Sequence, residues 1–371
     1  MKNLTIYFLP LVTAAFLASC EGPAGPAGQD ANESCKQCHN STVVEKKAIE
    51  FEHSVHAQGT AYEEGSRTGC APCHSHQGFL YAVQNNIPAN NYVVDDATAA
   101  LPGKYTCFTC HDSLHTTYTF NDFLPVTNEK AIPMVMWAGS KTIDFPKTTA
   151  NLCAKCHQPR PVTGSNGQAI DYAQLVSSPT TTYALSSVSY RTGVHYGTQS
   201  AMVAGVGAIE FGTGYPAAHP HSTQASCASC HMATPSGLAG GHSFNAAGNF
   251  NGCNVSGCHS TMSATNSSYL AAVNDISTLL SQLAAKINAI GAGHDVLQKG
   301  TDGTYAGYLD IYDASSNPTG YWKTSGTPKL SLTNAQFGAI INYQLVARGA
   351  GKGIHNPPYI RKLLQNTIAA I

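Results

Sequence analysis

The sequence predicts a chain of mainly coil and short α-helices with little β, closed by a C-terminal helical region. Three observations predict it. Between Ser34 and about Met262 the apolar runs are short, and Gly, Pro, Asn, Ser and Thr interrupt them every few residues, which is turn and loop chemistry. Only after Met262 do apolar residues recur at threes and fours. Cysteine and histidine are abundant, at 13 and 16, while charged residues are 11% against about 25% in an ordinary soluble protein. A formal net charge of -1, with no basic stripe, excludes nucleic acid as a partner.

Met1 to Ser19 reads as an export signal. Lys2 supplies the positive start, and the apolar run Leu4 to Leu17 is too short and too weakly flanked for a stable membrane span. It ends Leu17-Ala18-Ser19-Cys20, which resembles a bacterial lipobox, in which the Cys is acylated and becomes the first mature residue. The competing reading is ordinary cleavage nearby with a free Cys20. Acylation would hold the protein to a membrane, and it removes one cysteine from an otherwise odd count. In Glu21 to Asn32, glycine recurs every third residue at Gly22, Gly25 and Gly28, far too briefly for a collagen helix. A flexible tether over 20–33 is the better reading.

Residues 34–262 form the next unit. Thr116 to Phe120, Met134 to Trp137 and Ala208 to Phe211 suit short strands, and the rest reads as coil and short helices that could hardly bury an apolar core of their own. Residues 263–371 are helical. Leu270, Val273, Ile276, Leu280, Leu283, Ile287 and Ile290 form one apolar face, capped by Asn266 or Ser267 and ended by Gly291. A second helix runs from about Thr333 to Arg348. A third starts after Asn356, where Pro357 suits a first helical turn, and carries Ile360, Leu363, Leu364 and Ile368 inward.

The remaining twelve cysteines form six pairs. Five segments read Cys-x-x-Cys-His: Cys35, Cys38 and His39; Cys70, Cys73 and His74; Cys107, Cys110 and His111; Cys153, Cys156 and His157; Cys227, Cys230 and His231. This is the attachment motif of c-type haem. Two thiols one helical turn apart can add to the two vinyl groups of one porphyrin, and the adjacent His then sits beneath the iron. Zinc takes Cys-x-x-Cys pairs two at a time and does not require His after every second Cys. The sixth pair, Cys253 and Cys258 with His259, has four intervening residues instead of two. It reads as a sixth haem whose loop bulges outward, against a local disulfide beside an unrelated His. Six covalent haems in about 230 residues make the haem stack itself the centre around which the short helices pack.

On these motifs, residues 34 to 371 resemble the multihaem c-type cytochromes of the outer-membrane, extracellular electron-transfer type, here with six haems. The longer attachment spacing is known in that family, and Gly-Pro tethers follow the lipobox in its members from metal-reducing bacteria. Glu52-His53-Ser54-Val55-His56-Ala57 resembles the family's Ser-x-His segment, which often provides a distal ligand. Val194-His195-Tyr196-Gly197-Thr198-Gln199, Gly240-Gly241-His242-Ser243-Phe244 and Gly353-Ile354-His355-Asn356-Pro357 resemble other segments of such proteins.

Six of the 16 histidines are proximal, so ten remain for six distal positions. The expected distal set is His56, His115, His195, His221, His242 and His355. His115 follows His111 by one helical turn and must serve a neighbouring haem. His76 has the same constraint and is held in reserve. His53 competes with His56, His219 competes with His221, and His294 sits by glycines in a turn. Each ligating imidazole must be neutral and oriented through its other nitrogen.

The expected function is electron transfer outside the cytoplasm, through closely packed bis-His haems toward an extracellular acceptor. Two forms are open: a conduit anchored through acylated Cys20, or a subunit of a polymerised cytochrome filament in which copies share ligands. Other cytochromes or redox proteins are the expected partners. The alternative is a multihaem reductase of nitrite, hydroxylamine or a sulfur oxyanion, which needs one iron with an open position. The absence of a Cys-x-x-Cys-Lys motif argues against it.

Overall fold

The computed structural model describes residues 31–88, 92–126, 131–147, 149–160, 170–183, 192–291, 293–310 and 331–371. The export signal, Cys20 and the tether up to residue 30 lie outside the described residues. The fold is a succession of short helices and irregular segments, ending in three longer helices.

The short helices run α1 (Ala31–Cys38), α2 (Val44–Glu52), α3 (Ala71–His74), α4 (His76–Gln84), α5 (Asp96–Ala100), α6 (Cys107–Cys110), α7 (Thr149–Ala154), α8 (Tyr172–Ser177), α9 (Gln199–Ala204), α10 (Pro220–Thr223) and α11 (Cys227–His231). Several are framed locally. Ser226 accepts from Ser229 N at 3.2 Å while its own N–H donates to Ser229 Oγ at 3.0 Å, a reciprocal cap that starts α11. Thr106 N donates to Thr109 Oγ1 in the same way at α6. Ser75, extended between α3 and α4, caps the second of these through Gly78 N. Gly78 lies so close to Ala71 that a Cβ there would meet the Ala71 carbonyl at 2.5 Å, which is why a glycine stands where the two helices fold together.

The strands are short antiparallel pairs: β1 (Ile132–Pro133) with β2 (Thr142–Ile143), β3 (Thr182–Tyr183) with β6 (Leu332–Thr333), and β4 (Leu297–Lys299) with β5 (Tyr305–Leu309). The three stretches expected as strands are not strands. Residues 116–120 turn instead, because Thr117 N and Tyr118 N donate to the Asp122 carboxylate at 3.1 and 2.8 Å rather than to a neighbouring chain. Val135–Trp137 is a 3₁₀ turn. Ala208 to Phe211 is irregular because the amide and carbonyl of Ile209 bond to the side chain of buried Asn342, at 2.9 and 2.7 Å.

The C-terminal helices are α12 (Ser267–Ala289), α13 (Asn334–Ala347) and α14 (Pro357–Ala370). Asn266 caps α12, Thr333 and Gln336 form a capping box on α13, and Asn356 caps α14 with Pro at its first turn. On α12 the buried stripe is Ile276, Leu279, Leu283, Ala284 and Ile287; Leu280 is only partly buried and Leu270 is 40% exposed. The helix is therefore rotated slightly from the face the spacing suggested.

These helices bury one apolar cluster with residues from Ile132 to Phe211, including Met134, Ile143, Leu175, Met202 and Ile209. The haem-motif segment thus does contribute to an ordinary apolar core, by borrowing its other wall from α12, α13 and α14. Polar ties accompany the packing. Asn342 Nδ2 also donates to Thr367 Oγ1 at 2.9 Å, Tyr359 Oη to Glu210 Oε1 at 2.8 Å, and Asn366 Nδ2 to Phe211 O at 2.7 Å. No helix among the described residues is long and apolar enough to cross a membrane.

Candidate cofactor-binding site

Four of the six Cys-His motifs share one backbone closure, the His amide returning to the carbonyl of the first Cys. It is seen from His39 to Cys35 at 2.8 Å, His111 to Cys107 at 2.9 Å and His157 to Cys153 at 3.0 Å. The sixth motif keeps it despite its longer loop: His259 N donates to Cys253 O at 3.1 Å, and Cys258 N to Val255 O at 3.0 Å. The two additional residues bulge outward while the Cys-to-His span is preserved. The twelve cysteines are all free thiols, so the Cys253–Cys258 disulfide reading is not what the structure contains.

Each of the six motif histidines has one of the other ten as a ring neighbour. His39 and His115 lie 5.8 Å apart between ring centroids, His74 and His195 6.1 Å, His111 and His242 6.2 Å. His157 and His56 lie 6.0 Å apart, His231 and His355 6.4 Å, His259 and His221 6.3 Å. A metal held between two imidazoles needs two bonds of about 2 Å plus about 1.1 Å from each nitrogen to its ring centre, a centroid separation of about 6.2 Å. The pairs fit an iron between them. Among the described residues no three of His, Cys, Asp and Glu converge as a set for a bare metal ion.

Second partners orient many of these rings. Nδ1 of His74 pairs with Ala61 O at 2.9 Å, of His195 with Tyr196 O at 2.9 Å, and of His231 with Phe244 O at 2.8 Å. His221 Nδ1 pairs with Ile354 O at 2.9 Å and His157 Nδ1 with Gln199 Oε1 at 3.2 Å. Each acceptor has only lone pairs, so Nδ1 carries the proton and Nε2 is left as the lone-pair donor a metal requires. Enclosure by protein holds the neutral form: burial, then the neighbouring imidazoles, push His56 and His355 down to about 4. By solvent exposure of the whole residue His56 is nonetheless exposed.

His115 adopts φ +63°, a left-handed conformation that costs of order 1 kcal/mol for a side-chain-bearing residue. Its ring stacks on His39 and lies 6.1 Å from Phe108 of the third motif. The reserve candidates stand elsewhere. His76 Nδ1 bonds Thr109 Oγ1 at 2.8 Å, His53 follows α2 at its C-cap, and His219 caps α10 by accepting from His221 N. His294 lies in the turn after α12.

The motifs are neighbours of one another. Cys73 Sγ lies 3.7 Å from Lys155 O and Cys156 Sγ 3.7 Å from Pro72 O, a reciprocal contact of the second and fourth motifs. Tyr105 joins it, donating to Cys73 O at 2.6 Å and lying 3.9 Å from Cys156 Sγ. Lys155, 5% exposed, reaches Asn86 Oδ1 at 3.2 Å, and burial lowers its pKa to about 8. The thiols of Cys153 and Cys227 join the fourth and fifth motifs. Gly252 beside Cys230 brings in the sixth, and Cys110 lies near enough to Cys153 to feel its charge. With His115 linking the first and third, contacts connect all six.

Sequence reasoning missed three contributors. Phe244 gives its carbonyl to His231 and sets its ring edge-on to His56 at 5.0 Å and 6.0 Å from His242. Tyr105 and Glu50 carried no signal at all, because each acts only through long-range contact.

The site thus defines a class: a chain with six Cys-His motifs, each motif histidine placed opposite a second histidine. No known protein family and no curated protein matches the chain. Among solved structures it is similar to the outer cell wall cytochrome OcwA, at 18% identity and a TM-score of 0.47, over 87% of this chain and 50% of that one. The chain spans about half the length of that cytochrome.

Proposed function

We propose that this protein is an exported multihaem c-type cytochrome that carries electrons through six bis-His haems toward an acceptor outside the cell. The observation that carries the proposal is the pairing of every motif histidine with one further histidine at 5.8–6.4 Å. Bound haem would supply a one-electron iron couple, and bis-His ligation sets its potential low. The protein's own residues orient His74, His157, His195, His221 and His231 through Nδ1, and the contacts between motifs bring successive sites into near contact. A fully satisfied set of axial positions favours a relay over a reductase, which would need one motif histidine without a partner. Pairing within one chain also favours a self-contained conduit, anchored through acylated Cys20, over a filament whose copies share ligands.

The test is intact mass of the mature protein together with spectra of the reduced form with and without carbon monoxide. Six haem additions and no carbon monoxide shift are expected. Five additions would remove the sixth site, and a shift in the wild type would favour the reductase.

A further inference from the structure

The six pairs differ in what supports them. In five of the histidines described above, Nδ1 meets a neutral carbonyl or amide oxygen. His242 instead faces a carboxylate: its Nδ1 lies 3.6 Å from Glu50 Oε2. That is too long for a hydrogen bond, and both His242 Nδ1 and Glu50 Oε1 are buried atoms with no hydrogen-bond partner. Two unsatisfied groups of complementary chemistry therefore stand side by side; among the described residues the other buried side-chain atoms without a partner are His111 Nδ1 and Arg348 Nε.

The placement is built in. Glu50 lies on α2, its side chain 12% exposed, and Oε2 accepts from His242 N at 3.0 Å. Gly241 leaves the room for it: at φ +55°, a Cβ there would meet Oε2 at 2.3 Å. Lys47 Nζ, 3.2 Å from Oε2, is the one cation in the cluster, and at 44% exposure its charge is screened by solvent. It offsets the carboxylate in part and leaves Oε1 uncommitted.

We propose, resting on the haem reading above, that Glu50 is the positioning residue of the His111–His242 pair and makes the haem held there the lowest-potential one of the six. A carboxylate facing Nδ1–H at this distance raises the basicity of the ligating nitrogen through its charge, which stabilises ferric over ferrous iron. A buried negative charge acts in the same direction. The neutral acceptors at His74, His157, His195, His221 and His231 do neither. Electrons arriving on the chain would then leave this site readily toward its neighbours, and the site would be the last to become reduced and the first to be reoxidised.

The test is a potentiometric titration of the holoprotein, followed by optical absorbance and by electron paramagnetic resonance. Glu50→Gln keeps the size and an acceptor oxygen but removes the charge. The lowest-potential step should rise by about tenfold in its reduction equilibrium, which is about 59 mV for one electron, with six haems and low-spin iron retained. Glu50→Asp should keep most of the wild-type value, and Lys47→Ala should move the same step the opposite way. A Glu50→Gln titration that overlays the wild type overturns the proposal. So does a shift of the same sign in Lys47→Ala, or loss of low-spin iron in Glu50→Gln, which would make Glu50 a packing residue. Failure of the haem reading would show differently, as missing haem mass or high-spin iron in the wild type itself.

Discussion

Replacing His355 by alanine isolates one pair. The imidazole faces His231 at 6.4 Å with ring planes 21° apart, and its loop carries Ile354, whose carbonyl holds His221 Nδ1 at 2.9 Å. Alanine keeps that carbonyl, so the His259–His221 pair should persist. His221 cannot substitute for the lost ligand without abandoning His259. One axial position in six is therefore vacated. Carbon monoxide binding should rise from none to one per chain, and about one sixth of the iron should become high-spin. The helix behind the loop remains docked through Asn356 Nδ2 to Val203 O at 3.1 Å, Tyr359 to Glu210 and Asn366 to Phe211. The fold should survive with a loss of about 1–2 kcal/mol, a fall of about 1–3 °C in Tm for a chain of this length. Haem count by mass should be unaltered. An unchanged spectrum would refute the assignment and leave His355 as a helix-start residue, with His294 the next to test.

On the six-haem reading, Cys258→Ala should lose one haem in intact mass, since the longer loop keeps, from His259 to Cys253, the closure that three other motifs share. Cys20→Ala should be released from membranes in soluble form; continued membrane association would mean a different anchor. Asn342→Ala strands the amide and carbonyl of Ile209 inside the core and should cost about 2–4 kcal/mol in chemical denaturation, with haem content unchanged. Asn266→Ala, removing the cap of α12, should cost only about 1 kcal/mol.

By itself the sequence determined whatever local chemistry writes in short segments. The attachment motifs are legible because two thiols and an imidazole must lie within one turn of one another, whatever the rest of the chain does. Helix starts were legible for the same reason: Asn266, one of two expected caps, holds α12, and α13 and α14 begin about Thr333 and after Asn356 as the pattern placed them. The C-terminal helices were legible through their apolar spacing, though Leu279 rather than Leu280 faces the core, because tertiary packing sets the rotation of a helix. The tertiary structure alone decided what depends on distant partners. Three β-like stretches lost their strands because Asp122, Asn342 and local turns took their amides. The apolar core of Ile132 to Phe211 was hidden because its opposite wall lies on α12 to α14. Which histidine meets which motif is settled by folding: His157 meets His56, not a neighbour in sequence. Glu50 bonds to a residue 192 positions away, and no spacing rule reaches so far. Covalent and one-turn geometry travels with the chain, while ligand pairing and the field around each site exist only once remote segments are packed together.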